Sequence, residues 1–347
     1  MFNKKIIITL LLTLFFTLFS CVETRVIKTI LPLSKNVPTL IENNEEETWD
    51  LNLLEADNTK YLLYTVIDNA KGFADISYSQ LTNIEPLKFT KTKLLLPKTN
   101  SKQRHLSSII KIAGTYWIYY VEGDSLKDFS KSFRAQFSNG HLINVEQLNI
   151  KTTLRVIHWQ KFHVLPNNKV VMVYRNGKGM FFGVSNDGKK FDNFIKVYER
   201  GAKPNILALN DDILIYAFQG GGKRKGTMQS KFSYSKNGGD TWSQAINTTE
   251  SHGNVHDAFL LKRKDGKADI YYIYPIGAWR GFSLFRRCIK DDFTLGNEEL
   301  LIEKEIGHLL KPNIFRLNGR QLLLTFIEAS SNHVPFASII YGDSVCP

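Results

Sequence analysis

Cysteine is scarce in this sequence, which contains only Cys21, Cys288 and Cys346. No two of them have the CxxC spacing of a zinc site, so the sequence predicts no metal site. The glycine run at 220–222 lacks the Gly-Lys-Ser/Thr ending of a phosphate-binding loop, and no nucleic-acid-binding motif is present. We therefore expect neither a cofactor nor a nucleic-acid partner.

Helical periodicity is also missing after the N-terminus. No long segment has apolar residues at i, i+3, i+4 and i+7, and short apolar or alternating runs recur instead, separated by Asn, Asp and Gly. Aromatic residues make up 12% of the chain, with 23 Phe and 14 Tyr, and they favour strands. The sequence therefore predicts an all-β fold in a chain long enough for a large core.

The N-terminus has the pattern of an export signal. Lys4 and Lys5 precede an almost unbroken apolar run over residues 6–19, which is too short for a comfortable transmembrane helix. The following Ser20-Cys21 resembles the end of a bacterial lipobox, in which the cysteine is lipidated. This resemblance implies a signal peptide over residues 1–20 and an exported lipoprotein, anchored through Cys21 to a membrane at the periplasm or cell surface. An ordinary secretory signal is the alternative.

Whether the other two cysteines form a disulfide depends on this prediction of export. An exported protein meets an oxidising environment, in which Cys288 and Cys346 are able to form a disulfide. The sequence does not show whether their Cα atoms lie close enough, and it leaves the pairing open.

Acidic residues are outnumbered in the chain. The chain contains 33 Asp and Glu and 45 Lys and Arg, which gives a formal net charge of +12. Such an excess implies an anionic partner. Nucleic acid is not expected outside the cell, so an acidic or sulfated glycan is the predicted partner of a chain that we expect to be a monomer.

A repeated unit of four short strands runs through the chain, most clearly over residues 203–248. Repeats of this kind are typical of β-propeller blades, which bury their faces by stacking in a ring. The sequence predicts one domain over residues 48–347, a six-bladed β-propeller with four antiparallel strands per blade. The six copies cover residues 48–97, 104–150, 163–199, 203–248, 254–303 and 311–342.

The sixth copy stops before its fourth strand, and residues 25–33 offer a spare one. This segment is similar to the fourth strand of the first copy, residues 92–97. Pairing of the N-terminal strand into blade six would close the ring and cover an exposed sheet edge. We therefore expect residues 21–47 to contain a tether and this closing strand. A solenoid is the alternative, but it requires capping units rather than complementary ends.

Two copies share a turn between their third and fourth strands, at residues 185–191 and 235–242. In each, Asp or Asn caps the turn, Gly supplies a positive φ and an aromatic side chain packs into the blade. Both turns resemble the Asp-box, or BNR repeat, of form S-x-D-G-x-x-W, and the chain resembles the sialidase-like six-bladed propeller superfamily. The matching residues are Ser185, Asp187, Gly188 and Phe191 in one turn, and Ser235, Asn237, Gly239 and Trp242 in the other.

The resemblance implies that the Asp-box turns lie opposite the active site. The first strands begin, and the second strands end, on the other face, around the central channel. Arginine there would offer a bidentate fork to a carboxylate or sulfate group. The candidate substrate-binding residues are Arg104, His105, Arg175, Lys203, Arg280 and Lys311.

Sialidases bind a substrate carboxylate with three arginines, and they use an Asp acid and a Tyr nucleophile paired with Glu. The family's FRIP-like motif is absent, because the first copy begins Thr48-Trp49-Asp50. The candidates by analogy are Arg104, Arg175 and Arg280 for the arginines, Tyr274 and Glu328 for the nucleophile pair, and Asp50 or Asp257 for the acid.

A polysaccharide lyase is the second function predicted from the same residues. Such an enzyme neutralises a uronate carboxylate with Arg or Lys and removes the C5 proton with a base. His158 or His256 is the candidate base, and Tyr120 or Tyr274 the candidate acid.

The third predicted function is that of a non-catalytic, surface glycan-binding propeller. It would need only stacking platforms such as Trp49, Trp159 and Trp279. The predictions thus begin with an exported, sialidase-like exo-glycoside hydrolase acting on anionic glycans, followed by the lyase and then the binding protein.

Overall fold

Strands account for all the regular secondary structure in the described part of the chain, which contains no helix. The computed structural model describes residues 46–68, 73–84, 87–96, 103–125, 128–152, 157–177, 179–221, 228–249, 255–276, 281–304, 309–318, 321–328, 334–343 and 346.

The strands pair into consecutive antiparallel sheets, and the order within each sheet follows the chain. In the first sheet, β5 pairs with β3 beside β4. A short parallel pair, β10 with β14, joins the second and third sheets. The strands of the first three sheets are β1 (Glu46–Ala56), β2 (Thr59–Asp68), β3 (Phe73–Ile84), β4 (Leu87–Phe89) and β5 (Lys93–Leu94); β6 (Gln103–Ile112), β7 (Thr115–Ser125), β8 (Asp128–Ser138), β9 (His141–Gln147) and β10 (Asn149–Ile150); and β11 (His158–Val164), β12 (Val170–Asn176), β13 (Gly179–Ser185), β14 (Lys190–Phe191) and β15 (Phe194–Tyr198).

The fourth and fifth sheets each contain four strands and the sixth contains three. Their strands are β16 (Gly201–Ala208), β17 (Leu214–Gly221), β18 (Met228–Ser235) and β19 (Ile246–Asn247); β20 (His256–Lys262), β21 (Ala268–Ile276), β22 (Gly281–Ile289) and β23 (Glu299–Lys304); and β24 (Leu309–Asn318), β25 (Gln321–Glu328) and β26 (Val334–Tyr341).

The fold is an all-β propeller with five complete blades, where the sequence predicted six. The sixth sheet has three strands in the described residues, β24, β25 and β26. The predicted closing strand, residues 25–33, lies outside the described residues, as do the predicted signal peptide and Cys21.

The core lies between the sheets rather than within them. A hydrophobic cluster separates each sheet from the next, and a small one joins the sixth sheet to the first through Leu317, Leu323, Leu53 and Leu81. The second strands are buried on both faces, which explains their continuous apolar sequences, such as residues 170–173. Stacking of neighbours therefore buries what one blade alone would leave exposed.

Hydrogen bonds also link the first strand of one blade to the neighbouring blade. The first strand is the inner edge of its sheet, so some of its amides have no partner within that sheet. A polar side chain from the preceding blade accepts a bond from such an amide at three places. The bonds run from the Leu106 amide to Thr65 Oγ1 (2.9 Å), from the Phe162 amide to Ser108 Oγ (2.8 Å) and from the Leu260 amide to Asn205 Oδ1 (3.3 Å).

The turn at 185–191 is closed by its own side chains. Ser185 Oγ donates to Asp187 Oδ1 (2.8 Å), which also accepts from the amides of Lys189 and Lys190. Gly188 has φ +67°, and a Cβ there would lie 2.5 Å from the Tyr119 hydroxyl of the second blade. Glycine is therefore required both by the backbone conformation and by the close approach of the neighbouring blade.

The turn at 235–242 has the same pattern with Asn in place of Asp. Asn237 Oδ1 accepts bonds from Ser235 Oγ (2.9 Å) and from the Thr241 amide (3.0 Å). The ring of Trp242 packs edge-on against Phe182 of the third blade, with centroids 5.1 Å apart. Both turns thus hold a blade to the one before it.

Arg134 of β8 joins the second blade to the turn at 185–191. Its guanidinium binds Glu146 on β9 (2.7 Å), contacts the Asp187 carbonyl and lies over the Trp117 ring. Arg286 of β22 has the corresponding position three blades later. It binds Glu299 (2.6 Å) and donates to the Gly342 carbonyl (2.7 Å) of the sixth sheet.

We predict that Arg134→Ala lowers the free energy of unfolding by about 1.5–3 kcal/mol, because hydrogen bonds to charged groups contribute that much. Denaturant titration measures this loss of unfolding free energy. Lys189→Ala is the matched control, since Lys189 also reaches Glu146 (3.6 Å) but is exposed, and its loss should cost about 0.5 kcal/mol or less. Equal effects of the two variants would show that Arg134 does not join the blades.

The C-terminal segment returns to the fifth blade. Cys346 forms a disulfide with Cys288 of β22, with Cα atoms 5.4 Å apart. Asp343 binds Arg316 (2.6 Å) and accepts a bond from the Lys264 amide (3.2 Å). The pairing that the sequence left open is therefore present, and it ties the incomplete sixth sheet to its neighbour.

The double variant Cys288→Ala/Cys346→Ala should lose about 2–4 kcal/mol of unfolding free energy, because the crosslink restricts the unfolded chain. Dithiothreitol should produce the same loss in the parent protein and none in the double variant. Alkylation of both thiols in protein that was never exposed to a reductant would contradict the pairing.

Candidate functional site

A cavity of about 430 Å³ lies where the first strands of the sheets meet. All six first strands contribute to its walls, so it is centred on the axis of the propeller. Its principal polar and aromatic lining residues are Trp49, Asp50, His105, Ser107, Trp159, Gln160, Lys161, Lys203, Asn205, Asp257, Phe259 and Asn313.

Each first strand departs from regular pairing as it reaches this cavity. The register shifts in the first half of β1, β6, β11, β16, β20 and β24, and β24 has a second shift near its end. Such β-bulges place an extra residue on one strand and redirect its side chain. The repeated bulge is therefore the local feature that turns side chains of the first strands into the cavity.

Four of the bulges contain a non-glycine residue with positive φ. Asp50 (54°), Trp159 (49°), Lys203 (51°) and Asp257 (45°) occupy them, and all four line the cavity. The left-handed conformation costs about 1–2 kcal/mol for such residues. Strain of this kind persists where the surrounding structure fixes it, and it concentrates at functional sites.

Two carboxylates line the cavity from different blades. Asp257 of the fifth blade is buried, with 5% of its side chain exposed, and forms an ion pair with Lys203 of the fourth. Asp50 of the first blade lies 3.7 Å from Nδ1 of His105 in the second. Each carboxylate therefore has a basic partner on an adjacent blade.

The rest of the polar wall comes mainly from the third blade. Lys161 Nζ donates to the Ser107 carbonyl (2.7 Å). Gln160 is buried and donates from Nε2 to Ser132 Oγ (2.6 Å), and its Oε1 accepts no hydrogen bond from any described residue. Further along β11, burial lowers the pKa of His163 to about 4, so this imidazole is neutral at neutral pH.

An aromatic side chain is exposed beside these groups. Trp159 is 40% exposed, and the guanidinium of Arg175 lies over its ring, 4.9 Å from the centroid. Arg175 Nε donates to the Gly177 carbonyl (2.8 Å), which holds the guanidinium in this position.

The structure brings together four of the predicted site residues. Asp50, His105, Lys203 and Asp257 all line the cavity, as expected for residues at the entries of first strands. Arg175 adjoins the cavity through Trp159.

Other predicted residues have different positions. Arg104 lies between the first two blades, bound to Glu122 (3.2 Å) and Asp75 (3.5 Å), and is not part of the cavity wall. Tyr274 is also absent from that wall. No arginine lines the cavity among the described residues, so the predicted cluster of three is not assembled there. Arg280, and the side chains of His158, His256, Lys311 and Glu328, lie outside what the structure describes.

Tyr120, a predicted proton donor, does not line the cavity. Its side chain is buried in the cluster between the first two blades and stacks on Phe133. Burial raises the pKa of Tyr120 to about 12. The alternation along β7 turns this residue into the core rather than toward the cavity.

Several lining residues were not selected as site residues from the sequence. The tripeptide Lys-Pro-Asn recurs at 203–205 and 311–313, and only its lysines, Lys203 and Lys311, were predicted as site residues. Pro204, Asn205, Pro312 and Asn313 in fact line the cavity. The recurrence of one tripeptide at the same position in two copies was the available signal, because bulges at equivalent positions face the same channel.

Within the described residues, no three His, Cys, Asp or Glu side chains are grouped so as to hold a metal ion. A helix long and apolar enough to cross a membrane is likewise not found in that part of the chain.

No family model and no curated protein matches the sequence. Solved structures match at the level of the fold. The K499G mutant of NanB sialidase from Streptococcus pneumoniae has a TM-score of 0.64 and 10% identity, over 89% of this chain and 70% of its own. The GH93 α-L-arabinofuranosidase of Fusarium graminearum has a TM-score of 0.54 and 12% identity, over 85% and 93%. The chain thus shares its fold with these two proteins.

Proposed function

We propose that this chain is a glycoside hydrolase that cleaves its substrate in the central cavity, with Asp50 and Asp257 as the catalytic carboxylates. The observation that carries the proposal is that two carboxylates, from the first and fifth blades, line one cavity, each beside a basic side chain. Glycoside hydrolysis generally uses such a pair. The shared fold with a sialidase and an arabinofuranosidase supports this reaction class.

The reaction breaks the bond between the anomeric carbon and the glycosidic oxygen. One carboxyl group gives its proton to the leaving oxygen, and the oxygen of water forms the new bond to the anomeric carbon and releases a proton. We assign the charged role, as base or nucleophile, to Asp257 because of its ion pair with Lys203. Asp50 is then the acid.

The substrate that we propose is an acidic or sulfated glycan, cleaved from a chain end as by a sialidase. Lys161 and Lys203 line the cavity, and the chain has a net charge of +12. Both features favour an anionic ligand.

We expect Asp257→Asn and Asp50→Asn each to lower kcat by about 10²–10⁴-fold, because each removes one of the two groups that transfer protons. Release of reducing ends from sialosides, uronate polymers, sulfated glycans and neutral arabinans identifies the substrate and measures the loss. Asp240→Asn, at an exposed aspartate in the turn at 235–242, should retain parental activity.

Thermal melting of each variant separates lost chemistry from lost folding, since Asp257 also pairs with Lys203. Full activity in folded Asp50→Asn and Asp257→Asn would refute the assignment. An unsaturated product that absorbs in the ultraviolet would indicate a lyase instead. Binding of glycans without any product across the panel would indicate a binding protein.

We also propose that the protein is exported and anchored through Cys21, and that residues 25–33 complete the sixth blade as its fourth strand. The disulfide supports export, because such bonds persist in oxidising compartments. The three-stranded sixth sheet supports the second proposal, because it lacks an outer strand in the described residues.

Replacing residues 25–33 by a Gly/Ser segment of equal length should lower the melting temperature of the whole domain, because it exposes the edge of the sixth sheet. The same replacement of residues 35–43 is the control and should have little effect. Equal melting temperatures for the two variants would mean that residues 25–33 do not complete the blade.

A further inference from the structure

We propose that Trp159 and Arg175 form a subsite for a sugar residue next to the one that is cleaved, and that Arg175 binds a carboxylate or sulfate group on it. This inference rests on the proposed glycosidase function and specifies its substrate class. The two residues are brought together by β11 and β12, in which His158 pairs with Arg175 across the ladder.

The exposure of Trp159 is the first observation. It is 40% exposed, whereas no other tryptophan in the described residues is among the exposed hydrophobic side chains. It also has φ +49°, which is unfavourable for a bulky residue. Its neighbours Gln160 and Lys161 are both fixed by hydrogen bonds. The blade therefore holds the indole of Trp159 at the cavity, although exposure of this apolar ring to water is unfavourable.

The bonding of Arg175 is the second observation. Its Nε donates to the Gly177 carbonyl, and its guanidinium carbon lies over the indole ring of Trp159. No described Asp or Glu forms an ion pair with it, in contrast to Arg104, Arg134, Arg263, Arg286 and Arg316. The two terminal nitrogens of a guanidinium placed in this way match the two oxygens of a carboxylate or sulfate.

The position in the ring separates this subsite from the reacting one. Asp50 and Asp257 belong to the first and fifth blades, whereas Trp159 belongs to the third. A sugar that reacts between the carboxylates and a neighbouring sugar that stacks on Trp159 can therefore be bound at the same time. The anionic group is then recognised on the neighbour, and the cleaved sugar itself need not carry it.

The test compares two substrates that share the cleaved linkage. Uronate oligosaccharides are used intact and after carboxyl reduction, and sulfated galactan oligosaccharides before and after desulfation. Arg175→Gln should lower kcat/KM for the charged member of a pair by about tenfold or more and leave the uncharged member within twofold, since one charge-assisted pair is lost. Comparison of the two pairs shows whether carboxylate or sulfate is preferred.

Further variants distinguish the two residues. Arg175→Lys should recover only part of the loss, because an ammonium offers no planar fork. Trp159→Ala should lower kcat/KM for both members by a few-fold to tenfold, and Trp159→Phe should retain most of it. Arg200→Gln, at an exposed arginine outside the cavity wall, is the control and should change neither.

An equal effect of Arg175→Gln on charged and uncharged substrates would overturn the inference, and the proposed function would still stand if Asp257→Asn abolished hydrolysis. If no glycan is cleaved, the proposed function fails, and calorimetric binding of the same oligosaccharides tests the subsite alone. Affinities for the charged probes that do not differ between the parent and Arg175→Gln would then overturn it.

Discussion

The bulge at the start of each first strand is the constraint on which the candidate site depends. A regular β-strand alternates its side chains between two faces, so without the bulge the entry residues would follow the packing of the blade. At Asp50, Trp159, Lys203 and Asp257 the chain adopts positive φ instead, and each side chain reaches the axis of the propeller. Four blades thus contribute an acid, an aromatic, a base and a second acid to one cavity.

That strain persists because the blades are held on all sides. The cost of about 1–2 kcal/mol at each of these four residues is offset by burial between sheets and by hydrogen bonds from the inner strands β6, β11 and β20 to the blade before. On the opposite face, Arg134 and Arg286 bind the turn region of the following blade. The side of the ring with the turns at 185–191 and 235–242 therefore supplies rigidity, and the side with bulges supplies the chemical groups.

Much of this organisation was predictable from the sequence. Strands and their repeat follow from alternating and continuous apolar runs, and the entry residues of the first strands follow from the order of strands within a repeat. Asp50, His105, Lys203 and Asp257 were found in this way. They line one cavity because position in a repeat determines position in the ring, whereas the conformation at the bulge is not contained in the repeat pattern.

The sequence does not reveal what a residue contacts once it is placed. Arg104 adjoins the entry of its strand, but Glu122 and Asp75 bind it between two blades. Tyr120 is one position from Val121, which lines the cavity, yet it faces the core. Pairing of Cys288 with Cys346 depends on where the last segment crosses the fifth blade, and spacing along the chain does not contain that information.

The most direct test of the account is a crystal structure of the Asp257→Asn variant with an oligosaccharide of the glycan that the protein cleaves or binds. The account predicts one sugar ring between Asp50 and residue 257, with its neighbour stacked on Trp159. An oligosaccharide bound on the face of the turns at 185–191 and 235–242 or on the outer strands, with the central cavity free of sugar, would contradict it.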